Sequence, residues 1–159
     1  MKKLFLLLLL SSTSFFLSAC NQSNDPKAVY GDFSKSIKAI DKMDDNSINK
    51  YLSKRAIAKK NEGVSQLNNM SKDQRTKFGA LALLMLKQTG DWLELDKATL
   101  DIKDKTASLI VSENTMDTVT NTTLISFVQE DGWKIDYFSK ETKDSDPKDS
   151  SSSSESIFK

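Results

Sequence analysis

The chain predicts an α+β domain in which amino-terminal helices pack on one face of an antiparallel sheet of about four strands. Three observations carry this. Apolar residues recur at helical spacing in the first half of the chain, up to Gly90. Beyond Gly90 the segments turn rich in β-branched residues. Helices come first and strands follow, joined by short turns, which is the order of an α+β fold.

Asp25 followed by Pro26 reads as an N-cap with proline at the first helical position. Val29, Phe33, Ile37 and Ile40 then repeat at helical spacing. This helix is expected to end near Lys42, before the turn Asp44-Asp45-Asn46. A shorter helix is expected from about Ser47, carrying Ile48, Tyr51 and Leu52. Residues 53–70 contain apolar Ile57, Val64, Leu67 and Met70, but Gly63 breaks the run and no clear element emerges. Ser71-Lys72-Asp73-Gln74 is a capping box and starts a helix reaching about Gln88. Phe78, Leu81, Leu84 and Met85 mark its expected buried face. Ala80 to Leu86 is apolar almost all round, as in a central core helix. Gly90 stands where a left-handed C-terminal cap belongs.

The β half opens with Leu93 to Lys103, where Leu100 and Ile102 alternate with Thr99 and Asp101. Asp104-Lys105 reads as a turn. Thr106 to Asn114 and Val119 to Glu130 are the next two strands. Asp131-Gly132 reads as a two-residue hairpin turn of the kind that needs positive φ. In the last strand Trp133, Ile135 and Tyr137 alternate with Lys134 and Asp136.

The folded region is expected from Pro26 to Lys140, enough for one core and too short for two ordinary domains. Residues 1–19 read as a secretory signal peptide: Lys2 and Lys3, then an apolar run from Leu4 to Leu10, then small residues before Cys20. The seven-residue run falls short of the roughly 20 residues that cross a bilayer. Residues 20–25 form the tether. Residues 141–159, with consecutive serines from Ser150 to Ser154, bury too little apolar surface to offset ordering and read as a disordered tail. Its last apolar pair, Ile157 and Phe158, reads as a solvated tail end or as a short docking motif.

Leu17-Ser18-Ala19-Cys20 resembles the lipobox of bacterial lipoproteins. The resemblance implies acylation of Cys20, the only cysteine, and stable attachment to a membrane by several acyl chains. Residue 21 is Asn21 rather than the aspartate that favours inner-membrane retention in that family. The expected location is therefore the cell envelope, at the outer membrane of a bacterium with two membranes.

Loss of residues 1–19 removes Lys2 and Lys3 and leaves 21 basic side chains against 22 acidic ones. No basic excess marks a nucleic-acid or anionic-membrane partner. The chain has no histidine, so histidine-centred acid–base chemistry, histidine triads and the common zinc sites are excluded. No cofactor or metal is expected.

From Pro26 to Phe138 the chain resembles the small nuclear transport factor 2-like, or cystatin-like, domains found in many bacterial lipoproteins. The carriers are the first helix with Val29 and Phe33, the helix-turn Asp44 to Leu52, the strand-turn-strand from Ala98 to Val111, and the closing hairpin Phe127 to Phe138 with Gly132 and Trp133. The resemblance implies a strongly bent sheet wrapped round a helix, with a cone-shaped cavity. Some members are isomerase-like or dehydratase-like enzymes, others bind small ligands, and many mediate protein contacts, so fold alone does not choose.

Asp101 and Asp136 are the strand carboxylates able to act as a base if one entered the cavity; alternation places them on the polar face. Tyr30, Tyr51 and Tyr137 offer hydroxyls to a pocket or to the core rim. Trp92, Trp133 and Tyr137 are candidate cavity-lining residues, but Trp92 and Trp133, as large residues at the core edge, need no ligand and read first as packing. Lys54, Arg55, Lys59 and Lys60 read as a solvated helix face. Asn121-Thr122-Thr123 matches a glycosylation sequon, an accidental match in a bacterial lipoprotein. Three functions follow: a non-catalytic lipoprotein that binds or scaffolds an envelope protein, a binder of a small apolar ligand, and an isomerase- or dehydratase-like enzyme. A filled interior beside an exposed apolar patch favours the first, a deep apolar pocket the second, and a deep pocket with a desolvated carboxylate the third.

Overall fold

The computed structural model describes residues 25–116, 119–144 and 152–158. The signal peptide, Cys20 and its tether as far as Asn24 lie outside the described residues. The fold is α+β: three helices packed with a five-stranded antiparallel sheet. The helices are α1 (Pro26–Ala39), α2 (Lys54–Asn68) and α3 (Lys72–Gln88), followed by strands β1 (Thr99–Lys103), β2 (Thr106–Met116), β3 (Val119–Gln129), β4 (Trp133–Asp144) and β5 (Ser152–Ile157). The strands lie side by side in chain order.

Asp25 caps α1 by accepting from the Lys27 amide at 3.0 Å. Val29, Tyr30, Phe33 and Ile37 are buried along one stripe. The helix stops at Ala39 rather than near Lys42, because Ile40 turns extended and buries its own side chain in the core. The helix expected from Ser47 shrinks to a single 3-10 turn, Asn49–Tyr51. Here Asp45 accepts from the Ser47 amide at 2.7 Å, a side-chain bond that competes with helix initiation. Leu52 then leaves the turn to bridge Ile135 of β4.

Residues 54–68, without an assignment from periodicity, form α2. Ser53 caps it by accepting from the Ala56 amide at 3.0 Å. Gly63 lies inside the helix with open space around it, so it weakens α2 without ending it. In α3 the capping box is complete: Ser71 and Gln74 each bond the other's backbone. Gly90, however, is not a left-handed cap. It sits in a 3-10 turn, Thr89–Asp91, pressed against α1, where a Cβ would stand 2.7 Å from Ile37 Cγ2. Its small size, not positive φ, is what the position uses.

The β1–β2 hairpin turns at Asp104-Lys105, with Asp104 at φ 51°. The β3–β4 connection is one residue longer than expected: Gln129 pairs with Trp133, leaving Glu130, Asp131 and Gly132, with Gly132 at φ 129°. Ser126 pairs with Tyr137 and Phe127 with Ile135, so Asp136 is the extra residue of a bulge in β4, a device that bends a sheet. The fifth strand corrects the expectation of a wholly unstructured tail. β4 continues past Lys140 to Asp144, and Ser152–Ile157 pairs with it, setting Phe138 opposite Ile157. Serines suit this edge because hydrogen bonding to β4 orders them, and Ile157 and Phe158 supply the apolar contact.

Candidate functional site

The space between α1 and the sheet is filled. Phe33 stacks with its ring centroid 5.5 Å from Phe138 and 6.3 Å from both Tyr30 and Tyr51. Leu109, Ile125, Phe127 and Ile135 close the same core without measurable exposure. Trp133 is buried there, and Trp92 packs edge-on to Phe138 at 6.2 Å. Tyr137 lies elsewhere, beside a 120 Å³ cleft with Thr122, Leu124, Ser139 and Glu141. The three residues proposed to line one cavity are therefore not brought together.

The hydroxyls of Tyr30 and Tyr51 are engaged structurally. Tyr30 donates to the Thr89 carbonyl at 2.9 Å and accepts from the Leu93 amide at 3.2 Å, fastening α1 to the chain after α3. Burial pushes its hydroxyl up to about 12, with the Leu93 bond opposing. Tyr51 shares a hydrogen bond with Ser36 at 3.0 Å.

Asp101 is exposed on β1 and pairs with Lys103 at 3.5 Å. β1 is exposed along most of its length, Ile102 included, so its alternation does not separate a core face from a polar one. Asp136 is half-buried. It receives Arg55 Nη2 at 2.7 Å and the Ser53 hydroxyl at 2.6 Å. Burial alone would raise its carboxyl, but the hydrogen bonds from Arg55 and Ser53 and the Arg55 charge outweigh it and the net shift is down. Such a carboxylate is a poor general base.

The basic face of α2 is also corrected. Arg55 serves Asp136, and Lys60 is buried, 2% exposed, with Nζ donating to the Asp45 carbonyl at 2.6 Å. Asn121 of the sequon accepts from Thr142 at 2.7 Å across β3 and β4. Among the described residues no group of three or more His, Cys, Asp or Glu could hold a metal ion, and no helix is long and apolar enough to cross a membrane.

The largest departure from the sequence reading is α3. Leu86 is its buried residue, whereas Phe78, Leu81, Leu84 and Met85 are 50%, 53%, 54% and 39% exposed. α1 covers the inner face of the sheet with Val29, Phe33 and Ile37, so α3 reaches that core only through Leu86 and Leu83 and otherwise lies against α2, α1 and the Thr89–Asp91 turn. Between α2 and α3 runs a groove of about 270 Å³ lined by Met43, Leu67, Met70, Phe78, Leu81 and Met85, among others. A larger cleft of about 770 Å³ lies between the 3-10 turn and the β3–β4 loop. Lys50, Lys54 and Lys134 line it together with Glu130 and Asp131, three basic side chains against two acidic ones. The apolar face of α3 is thus the surface that sequence reasoning missed. The available signal was the run from Ala80 to Leu86, which holds more apolar positions than one buried stripe can use.

No family model, no curated protein and no solved structure matches the chain.

Proposed function

We propose that the protein is a lipid-anchored lipoprotein of the bacterial envelope. Its nuclear transport factor 2-like domain is non-catalytic and holds another envelope component against the exposed face of α3. The observation that carries this is the pairing of a filled interior with four large apolar side chains left in solvent on one helix. Contiguous exposed apolar surface is a mark of an interaction site. The leader and Cys20 support the anchor. The helices, the β4 bulge at Asp136 and the Gly132-Trp133 hairpin support the fold assignment.

The groove between α2 and α3 favours a second reading, a small apolar ligand. At about 270 Å³ it falls just below the roughly 300–1,000 Å³ of ordinary ligand pockets, and it is open along its length. It suits side chains of a larger contact better than an enclosed molecule. An isomerase- or dehydratase-like activity finds no support in Asp136, which Arg55 keeps ionised, nor in Asp101, which faces water.

Tagged fatty-acid labelling with fractionation tests the anchor. Wild type should be labelled and sediment with membranes. Cys20→Ser should lose the label, and exported molecules should appear in the soluble envelope fraction. An unlabelled wild type would overturn the assignment.

A further inference from the structure

We propose that the α2–α3 hairpin docks on an anionic lipid surface. Phe78, Leu81, Leu84 and Met85 would enter the boundary between headgroups and acyl chains, with neighbouring basic side chains meeting the headgroups. This rests on the reading that α3 presents the contact surface and that Cys20 tethers the chain.

Charge identifies the occupant. From Lys54 to Gln88 stand eight basic and two acidic side chains, whereas the rest of the described residues carry eleven basic and seventeen acidic ones. Near-neutrality of the whole chain conceals a basic hairpin and an acidic body. Within the hairpin Lys60 is buried, Arg55 is held by Asp136 and Lys59 by Glu62, so Lys54, Lys72, Arg75, Lys77 and Lys87 supply the outward charge. An anionic surface attracts the hairpin and repels the body, so it orients the domain as well as binding it. Within α3 no acidic residue follows Asp73. Among the described residues no carboxylate forms an ion pair with Lys72, Arg75, Lys77 or Lys87. Lys77 precedes Leu81 by four residues and Leu84 by seven, which places it on the side of the exposed apolar residues. A basic residue beside an apolar face is a feature of helices that lie in a membrane interface, and Lys77 supplies it, whereas Arg75 is bonded to the Asn68 and Met70 carbonyls.

Tethering favours lipid over an acidic protein. The six-residue step from Cys20 to Pro26 spans at most about 20 Å, so an acylated chain holds the domain permanently at the bilayer. The surface is then always present at high local concentration.

The test uses residues 21–159, which carry no lipid, sedimented with vesicles of phosphatidylcholine alone or mixed with phosphatidylglycerol. The mixed vesicles should bind the domain at least about tenfold better, and high salt should remove most of that gain. Leu81→Asp should weaken binding at least about tenfold, and Lys77→Glu by a smaller factor, with circular dichroism unchanged because both sites face water. Absence of binding, equal binding to neutral vesicles, or indifference to Leu81→Asp would overturn the proposal. If vesicles are ignored while α3 is still shielded in cells, the occupant is a protein. That result sinks lipid docking and leaves the docking-face reading standing.

Discussion

At the scale of single residues, two positions decide whether the parts lock together. Asp136 binds β4 to the start of α2 through Arg55 and Ser53. Asp136→Asn should cost about 1–2 kcal/mol at neutral pH, at the lower end of charged hydrogen bonds because Arg55 is partly solvated. The folded carboxyl titrates below its ordinary value. Its stabilisation is therefore fully present above about pH 4 and is lost as pH falls through the folded value. Denaturant midpoints at pH 7 and pH 3 should show wild type losing more stability on acidification than the variant. Gly90 is decided by space. Gly90→Ala drives a Cβ toward Ile37 and Ser34 and should destabilise by about 1–3 kcal/mol. Gly63→Ala, with nothing within 4 Å, should instead stabilise by about 0.5–1 kcal/mol. Opposite shifts in thermal midpoint are expected, and a neutral Gly90→Ala would refute the packing argument.

At the scale of elements, caps and turns are written locally and burial is not. Asp25-Pro26, the Ser71–Gln74 capping box and Asp104-Lys105 each depend on neighbours in sequence, and each forms as expected. The inner and outer sides of α3 depend on which helix reaches the sheet first, and no local pattern records that. Ser53 is the missed cap of α2, masked by Gly63. β5 was illegible for a similar reason: a serine run has no strand signal of its own, and pairing with β4 supplies its order. The strand makes a testable demand. Phe158 packs 6.0 Å from Phe138, so a chain ending at Asp144 should lose about 1–3 kcal/mol by exposing that face of the core, lowering the melting temperature by roughly 4 °C or more. An unchanged melting temperature would mean that β5 adds nothing to the fold.

At the scale of the whole molecule, charge and apolar surface are sorted together. Basic residues and the uncovered apolar side chains share the α2–α3 hairpin, while the sheet and its loops carry the acidic excess. Net charge conceals this, because only the fold sets α2 against α3 with an apolar side of α3 uncovered. The candidate catalytic and cavity residues, by contrast, resolve into packing and ion pairs. Whether α3 is covered in the living envelope decides if it is a docking face. Leu81→Cys and Ile102→Cys place a thiol at two exposed positions, one on α3 and one on β1. Labelling with a soluble maleimide compares purified residues 21–159 of each variant with the full chain in intact envelopes, and the unmutated parent reports any reaction of Cys20. Both thiols should react in the purified domain, and Leu81→Cys alone should be shielded in the envelope. Equal labelling of the two positions in the envelope would contradict a covered α3.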